Sequence, residues 1–231
     1  MTVFRQFIVK VHSRCNLACN HCYVYEAVDQ SWRNQPKAMS SETVKVVAES
    51  ISRYAVKHGL TEVEVVLHGG EPLLLGPERM QQLIHELKAT ISPATRLRLG
   101  LQTNGVRLDQ KWADLFLTEQ VRVGISLDGG RTANDRHRLY RNGASSYQAA
   151  VRAVNLLRSP RHQSIFAGLL CTIDVDNDPA RAQAYNVRSM PTVVLMRDGK
   201  EVGRFVGARS QTFVSGMLDR VVRGDVAIAS P

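Results

Sequence analysis

The sequence is poor in cysteine. It has four in 231 residues: three lie within residues 15–22, and the fourth, Cys171, stands alone in an apolar stretch. That distribution excludes a disulfide-stapled scaffold and reads instead as metal binding in a reducing compartment. Long apolar runs are also missing. None approaches the ~18 residues that a membrane span needs. The N-terminal apolar segment is interrupted by Arg5, Gln6 and Lys10, so no cleavable signal is expected and the expected location is cytoplasmic. No basic-aromatic module is present, so the scattered Lys and Arg behind the net charge of +9 do not point to nucleic acid. The charge serves solubility, or attraction to an acidic redox partner or peptide leader. Neither an internal repeat nor a low-complexity linker divides the chain.

What is present is an alternation of strand and helix signals. Short apolar runs at Phe7–Val11, Val63–Leu67, Leu97–Leu101, Val121–Ile125 and Ile165–Ile173 read as strands. Between them, Val44, Val47, Ala48, Ile51, Tyr54 and Ala55 recur at helical spacing behind a candidate N-cap, Ser40, and ahead of Gly59. Further helices are expected through Met80–Leu87, Trp112–Phe116 and Tyr147–Leu157. Repeated βα units of this length imply an α/β fold with right-handed crossovers and a parallel sheet or barrel. Its site belongs at the C-terminal ends of the strands. The polar, glycine-bearing clusters HGGEP, QTNG and SLDGG fall at those ends.

Cys15, Cys19 and Cys22 follow the first strand in the order C-x3-C-x2-C. Three such thiolates can hold three irons of a four-iron cluster and leave the fourth open for chemistry. Zinc, with His12 or His21 as the fourth ligand, is the alternative for the same residues. RCNLACNHCYVYE and HGGEPLL, in that order, resemble motifs of the radical S-adenosylmethionine (SAM) enzymes, and LQTNG and SLDGG resemble later strand ends of their peptide- and sulfatase-maturing members. Through FRQFIVKVHSRCNLACNHCYVYE and NLLRSPRHQSIFAGLLCTID the chain is most similar to the SPASM-type peptide maturases of actinobacteria, over about residues 3–175.

The resemblance implies a [4Fe-4S] cluster on Cys15, Cys19 and Cys22 with SAM chelated at the open iron. It also implies reductive cleavage to a 5′-deoxyadenosyl radical and hydrogen abstraction from a ribosomally made peptide, with flavodoxin or ferredoxin as electron donor. Gly69 and Gly70 would let the backbone approach the cofactor, and Glu71 would accept from the methionine ammonium. His21 would lie near the adenine. Gln102, Thr103 and Asn104 would line the mouth, and Ser126 would contact cofactor or substrate. Asp128 is the candidate catalytic group. Arg138 and Arg141 could meet the SAM carboxylate, but they are expected to be helix arginines facing solvent, and Cys171 is expected to be a small buried hydrophobe.

A second resemblance begins near residue 174. IDVDNDPARAQAYNVRSMPTVVLMRDGKEVGRFVGA is similar to the later half of a thioredoxin, with Pro191 at the place of that fold's cis-proline. No C-x-x-C precedes it, so dithiol exchange has no reactive pair. The segment is expected to hold a short helix over Pro179–Tyr185, a hairpin of Val193–Met196 with Glu201–Val206, and a closing helix over Gln211–Val222. The expected organisation is a truncated radical SAM core of about five parallel strands over residues 1–173, with a thioredoxin-like fragment over 174–231. With no cysteine beyond Cys171 in this sequence, no auxiliary clusters are expected. The competing functional expectation is a non-catalytic thioredoxin-like binding module.

Overall fold

Side chains in β2 (Glu62–Gly69) alternate strictly: Val63, Val65 and Leu67 are buried, while Glu62, Glu64, Val66 and His68 are half-buried. The computed structural model, which describes residues 3–207 and Met217, gives this alternation its meaning. β1 (Gln6–His12), β2, β3 (Arg96–Thr103), β4 (Val121–Ser126) and β5 (Phe166–Leu170) form one parallel sheet in the order β1-β2-β3-β4-β5. Right-handed crossovers between successive neighbours put the long connecting helices on the same side. One face is therefore packed, and the other is the polar inner face of an open barrel.

The packed face carries Val9, Val11, Leu99, Leu101, Val121, Val123 and Ile125 beside the buried residues of β2. Against it lie α1 (Ser41–Lys57), α2 (Pro77–Thr90), α3 (Gln110–Glu119) and α5 (Tyr147–Leu157). They bury Ile51, Ile84, Phe116 and Leu157 respectively. Each such side chain contributes about 1.5–3 kcal/mol on leaving water. Ser40 caps α1 by accepting from Thr43 N, and Asp109 caps α3 by accepting from Trp112 N. Each cap is worth ~1 kcal/mol.

Two elements differ from the sequence expectation. β5 stops at Leu170 rather than running to residue 173, and it pairs with β4 alone. Its Leu169 and Leu170 are more than half exposed, and Cys171 is exposed instead of buried. Among the described residues β5 is the last strand of its sheet. The short helix α4 (Arg131–His137) was not foreseen, because its sequence RTANDRH has no apolar period and only Asn134 is buried.

Residues 5–172 form one compact unit, and residues 173–231 with 1–4 form another. In the second, α6 (Pro179–Ala184) precedes a hairpin of β6 (Thr192–Arg197) and β7 (Lys200–Val206). Both central turn residues, Asp198 and Gly199, have positive φ (50° and 74°), as a type I′ turn requires. The Met190–Pro191 bond is cis. Arg204 binds the hairpin to the end of α6 by donating to Tyr185 O at 2.7 Å. The closing helix expected over 211–222 lies outside the described residues except for Met217, which is helical and buried. Among the described residues no helix is long and apolar enough to cross a membrane.

Candidate active site

The three clustered cysteines sit in a long loop between β1 and α1, at the C-terminal end of the sheet. The loop is closed at its base, where Ser13 N donates to Lys37 O (2.8 Å) and Met39 N to Val11 O (3.0 Å). Arg14 organises its interior. One guanidinium nitrogen donates to Ser13 O, Ser13 Oγ and Trp32 O, and the other to Arg33 O and Gln35 O. The same group lies 5.1 Å from the centre of the Trp32 ring, a cation–π contact. Tyr25 packs edge-on to Trp32 and donates to Ser13 O. On its far side the loop meets α4 and the chain just after it, with Ala18 N donating to Leu139 O and Asn20 N to His137 O. The sequence reading assigned Arg14 no part; its adjacency to Cys15 was the available signal.

All three sulfurs lie within electrostatic reach of one another. Burial pushes the Cys15 thiol up to about 11, eased by the Leu17 N–H and reinforced by Glu71, Cys19 and Cys22. Burial also raises Cys19, with Arg138 opposing. Such thiols stay protonated at neutral pH until a metal displaces the proton. Among the described residues no three His, Cys, Asp or Glu side chains converge tightly enough to hold one metal ion, as the zinc alternative requires. A four-iron cluster makes a different demand, since each thiolate takes its own iron. Three soft thiolate donors in one loop match that demand.

The HGGEP turn lies directly beside this loop. Gly70 N donates to His12 O (2.9 Å) and Glu71 N to Arg14 O (2.9 Å). A Cβ on Gly69 would overlap the His12 carbonyl, and one on Gly70 would overlap the Tyr25 hydroxyl and the Arg14 carbonyl. Glycine is required here because the chain packs against itself.

Glu71 is held from within the protein. Its carboxylate is completely buried and accepts from Leu73 N (3.0 Å), Thr103 Oγ1 (2.6 Å) and Asn104 N (2.9 Å). Burial raises its pKa, and these three bonds oppose the rise. Both oxygens are engaged inside the protein, joining the end of β2 to the end of β3.

Asp128 is equally enclosed. It accepts from Arg138 Nε (2.7 Å) and Thr172 N (2.9 Å) and lies 3.9 Å from His21 Nε2. Arg138 is only 12% exposed, not solvent-facing as expected, while Arg141 is exposed. His21 stacks edge-on against His137, with ring centres 5.2 Å apart. On the inner face of the sheet Gln102 Nε2 donates to Ser126 Oγ (2.9 Å), and the bare Gly124 leaves room for the Gln102 amide. The structure thus gathers the cysteine loop, Glu71, Asn104, Asp128 and His21 at one end of the sheet.

His68, the residue before Gly69, has its pKa lowered by burial and by Lys10, against a bond to Gly69 O. A histidine depressed in the folded state stabilises fully above its unfolded pKa of about 6.5 and loses that contribution as pH falls through the folded value. Thermal melts between pH 7.5 and 5 should therefore show a smaller acid destabilisation in His68→Asn than in the parent. An equal loss in both would remove His68 from the account.

Residues 9–173 match the family model described as the Radical SAM superfamily, and residues 162–219 match a thioredoxin model. A serine-type anaerobic sulfatase-maturating enzyme of Klebsiella aerogenes is 34% identical over 155 residues, covering 66% of this chain and 36% of the relative. A cysteine-type anaerobic sulfatase-maturating enzyme of Clostridium novyi (strain NT) is 27% identical over 158 residues, covering 68% and 41%. The solved structure of native anSMEcpe with bound AdoMet and Kp18Cys peptide aligns with a TM-score of 0.65 at 22% identity, over 78% of this chain and 47% of that one. At that identity the likeness concerns the fold. This chain spans well under half the length of the two curated relatives.

Proposed function

Because the chain belongs to the Radical SAM superfamily, we propose that residues 1–173 form a cluster- and SAM-binding core that abstracts hydrogen from a peptide. The observation that carries this reading is the trio Cys15, Cys19 and Cys22, held beside the HGGEP turn in a loop ordered by Arg14. When bound, the [4Fe-4S] cluster and SAM supply the electron and the carbon–sulfur bond whose reductive cleavage yields the radical.

The chain's own residues perform the rest. Cys15, Cys19 and Cys22 would hold the cluster through their thiolates. Gly69 and Gly70 let the turn lie flat against the cysteine loop, and Glu71 fixes the turn to β3. Gln102 and Ser126 present polar atoms on the inner face of the sheet, and His21 from within the loop, for SAM or the substrate. Asp128, buried against Arg138, positions the ends of β4 and β5 and takes no proton from substrate in this reading. A peptide substrate is supported by the maturase relatives, and an acidic flavodoxin or ferredoxin by the basic charge. Residues 174–231 form a thioredoxin-like fragment whose described part contains no cysteine, and we assign it no dithiol chemistry.

Anaerobically reconstituted, reduced protein mixed with SAM should form 5′-deoxyadenosine in a time-dependent assay. A chain that carries the cluster yet forms none would refute turnover while leaving the cluster site standing.

A further inference from the structure

Asn104 stands at the end of β3 and is nearly buried. Its backbone N–H donates to Glu71 Oε2 at 2.9 Å, which fixes the main chain. Its side-chain oxygen accepts from Val106 N at 3.0 Å, and this bond settles which way the amide points. The amide nitrogen is thereby aimed at the cysteine loop, where it lies 2.9 Å from Asn16 Oδ1 and 3.7 Å from Cys15 Sγ. An amide has two N–H groups, one for each acceptor. Cys15 Sγ also receives Leu17 N at 3.4 Å, so this sulfur has two donors directed at it from separate parts of the chain.

We propose that Asn104 is a positioning residue for the cluster: it donates to the Cys15 sulfur and so raises the reduction potential of the cluster that this sulfur ligates. The inference rests on the cluster reading above. N–H groups directed at a ligating sulfur draw off negative charge, which favours the reduced cluster, and groups behind a ligand tune a metal centre in this way. The arrangement also gives Glu71 a function away from SAM. By holding the Asn104 backbone, the HGGEP turn sets the donor that faces Cys15, and it thereby acts on the cluster across 33 residues of sequence.

The test is redox titration, followed by electron paramagnetic resonance, of the full reconstituted chain and of two variants. Asn104→Asp keeps the acceptor for Val106 N and removes the donor, adding charge at low cost in shape. Asn104→Ala removes the whole side chain. Iron content at the parental level with a midpoint potential shifted negative in both variants, at least as far in Asn104→Asp, is the expected result. An unchanged potential at full iron content overturns the Asn104 assignment alone. Loss of iron in both variants also overturns it, reducing Asn104 to a support for the loop. A parental chain that takes up no cluster refutes the underlying reading and this inference with it.

Discussion

Serine in place of Cys15, Cys19 or Cys22, one at a time, is expected to bring iron after anaerobic reconstitution from about four atoms per chain to background, with loss of the visible absorption. Serine at Cys171 should leave both unchanged. The contrast follows from placement. The first three thiols share one loop ordered by Arg14, whereas Cys171 is exposed past the end of β5. A hydroxyl is a harder and more weakly acidic donor than a thiol, and two remaining thiolates leave two irons of the cluster without protein ligands. Stability without iron should change little at Cys19 and Cys22, which are half-exposed. Iron counted by colorimetric assay, with circular dichroism confirming the fold, decides the matter. Full iron retention in any of the three variants would refute the ligand set.

Glu71→Ala should lower the unfolding free energy of the chain by about 3–5 kcal/mol, measured in denaturant at neutral pH. Each stranded donor costs roughly 1–3 kcal/mol, and relief of the buried carboxylate's own desolvation together with entering water offsets part of that sum. The donors are Leu73 N, Thr103 Oγ1 and Asn104 N. Glu71→Gln should cost less, because an amide oxygen still serves Leu73 and Thr103, while its NH2 opposes the Asn104 N–H. A loss of this size is a large share of ordinary domain stability. If Glu71 instead served only to hold an ammonium group, the alanine variant would unfold like the parent and fail only in SAM binding. That outcome would return Glu71 to the role its motif first implied.

The sequence was legible where chemistry repeats along the chain. Short apolar runs placed β1 to β4 near their observed positions, helical spacing did the same for α1, α2, α3 and α5, and Ser40 announced the start of α1 through its side-chain oxygen. The turn at Asp198–Gly199 was readable for the same reason: few residues tolerate two consecutive positive φ angles. α4 was not legible, because its residues are polar all round and its place comes from the cysteine loop and the chain after it.

By itself the sequence determined the thiol trio, its position after the first strand and the polar clusters at successive strand ends. Those are matters of covalent order and of local periodicity. Only the tertiary structure decided that Glu71 faces inward, that Arg138 pairs with Asp128, that Asn104 reaches Cys15 and that Cys171 lies open. Beyond its local donor Leu73, the Glu71 carboxylate is held by Thr103 and Asn104, 32 and 33 residues away, and Asp128 by Thr172, 44 residues away. Their meeting is fixed by parallel register and crossover packing, which a motif does not encode.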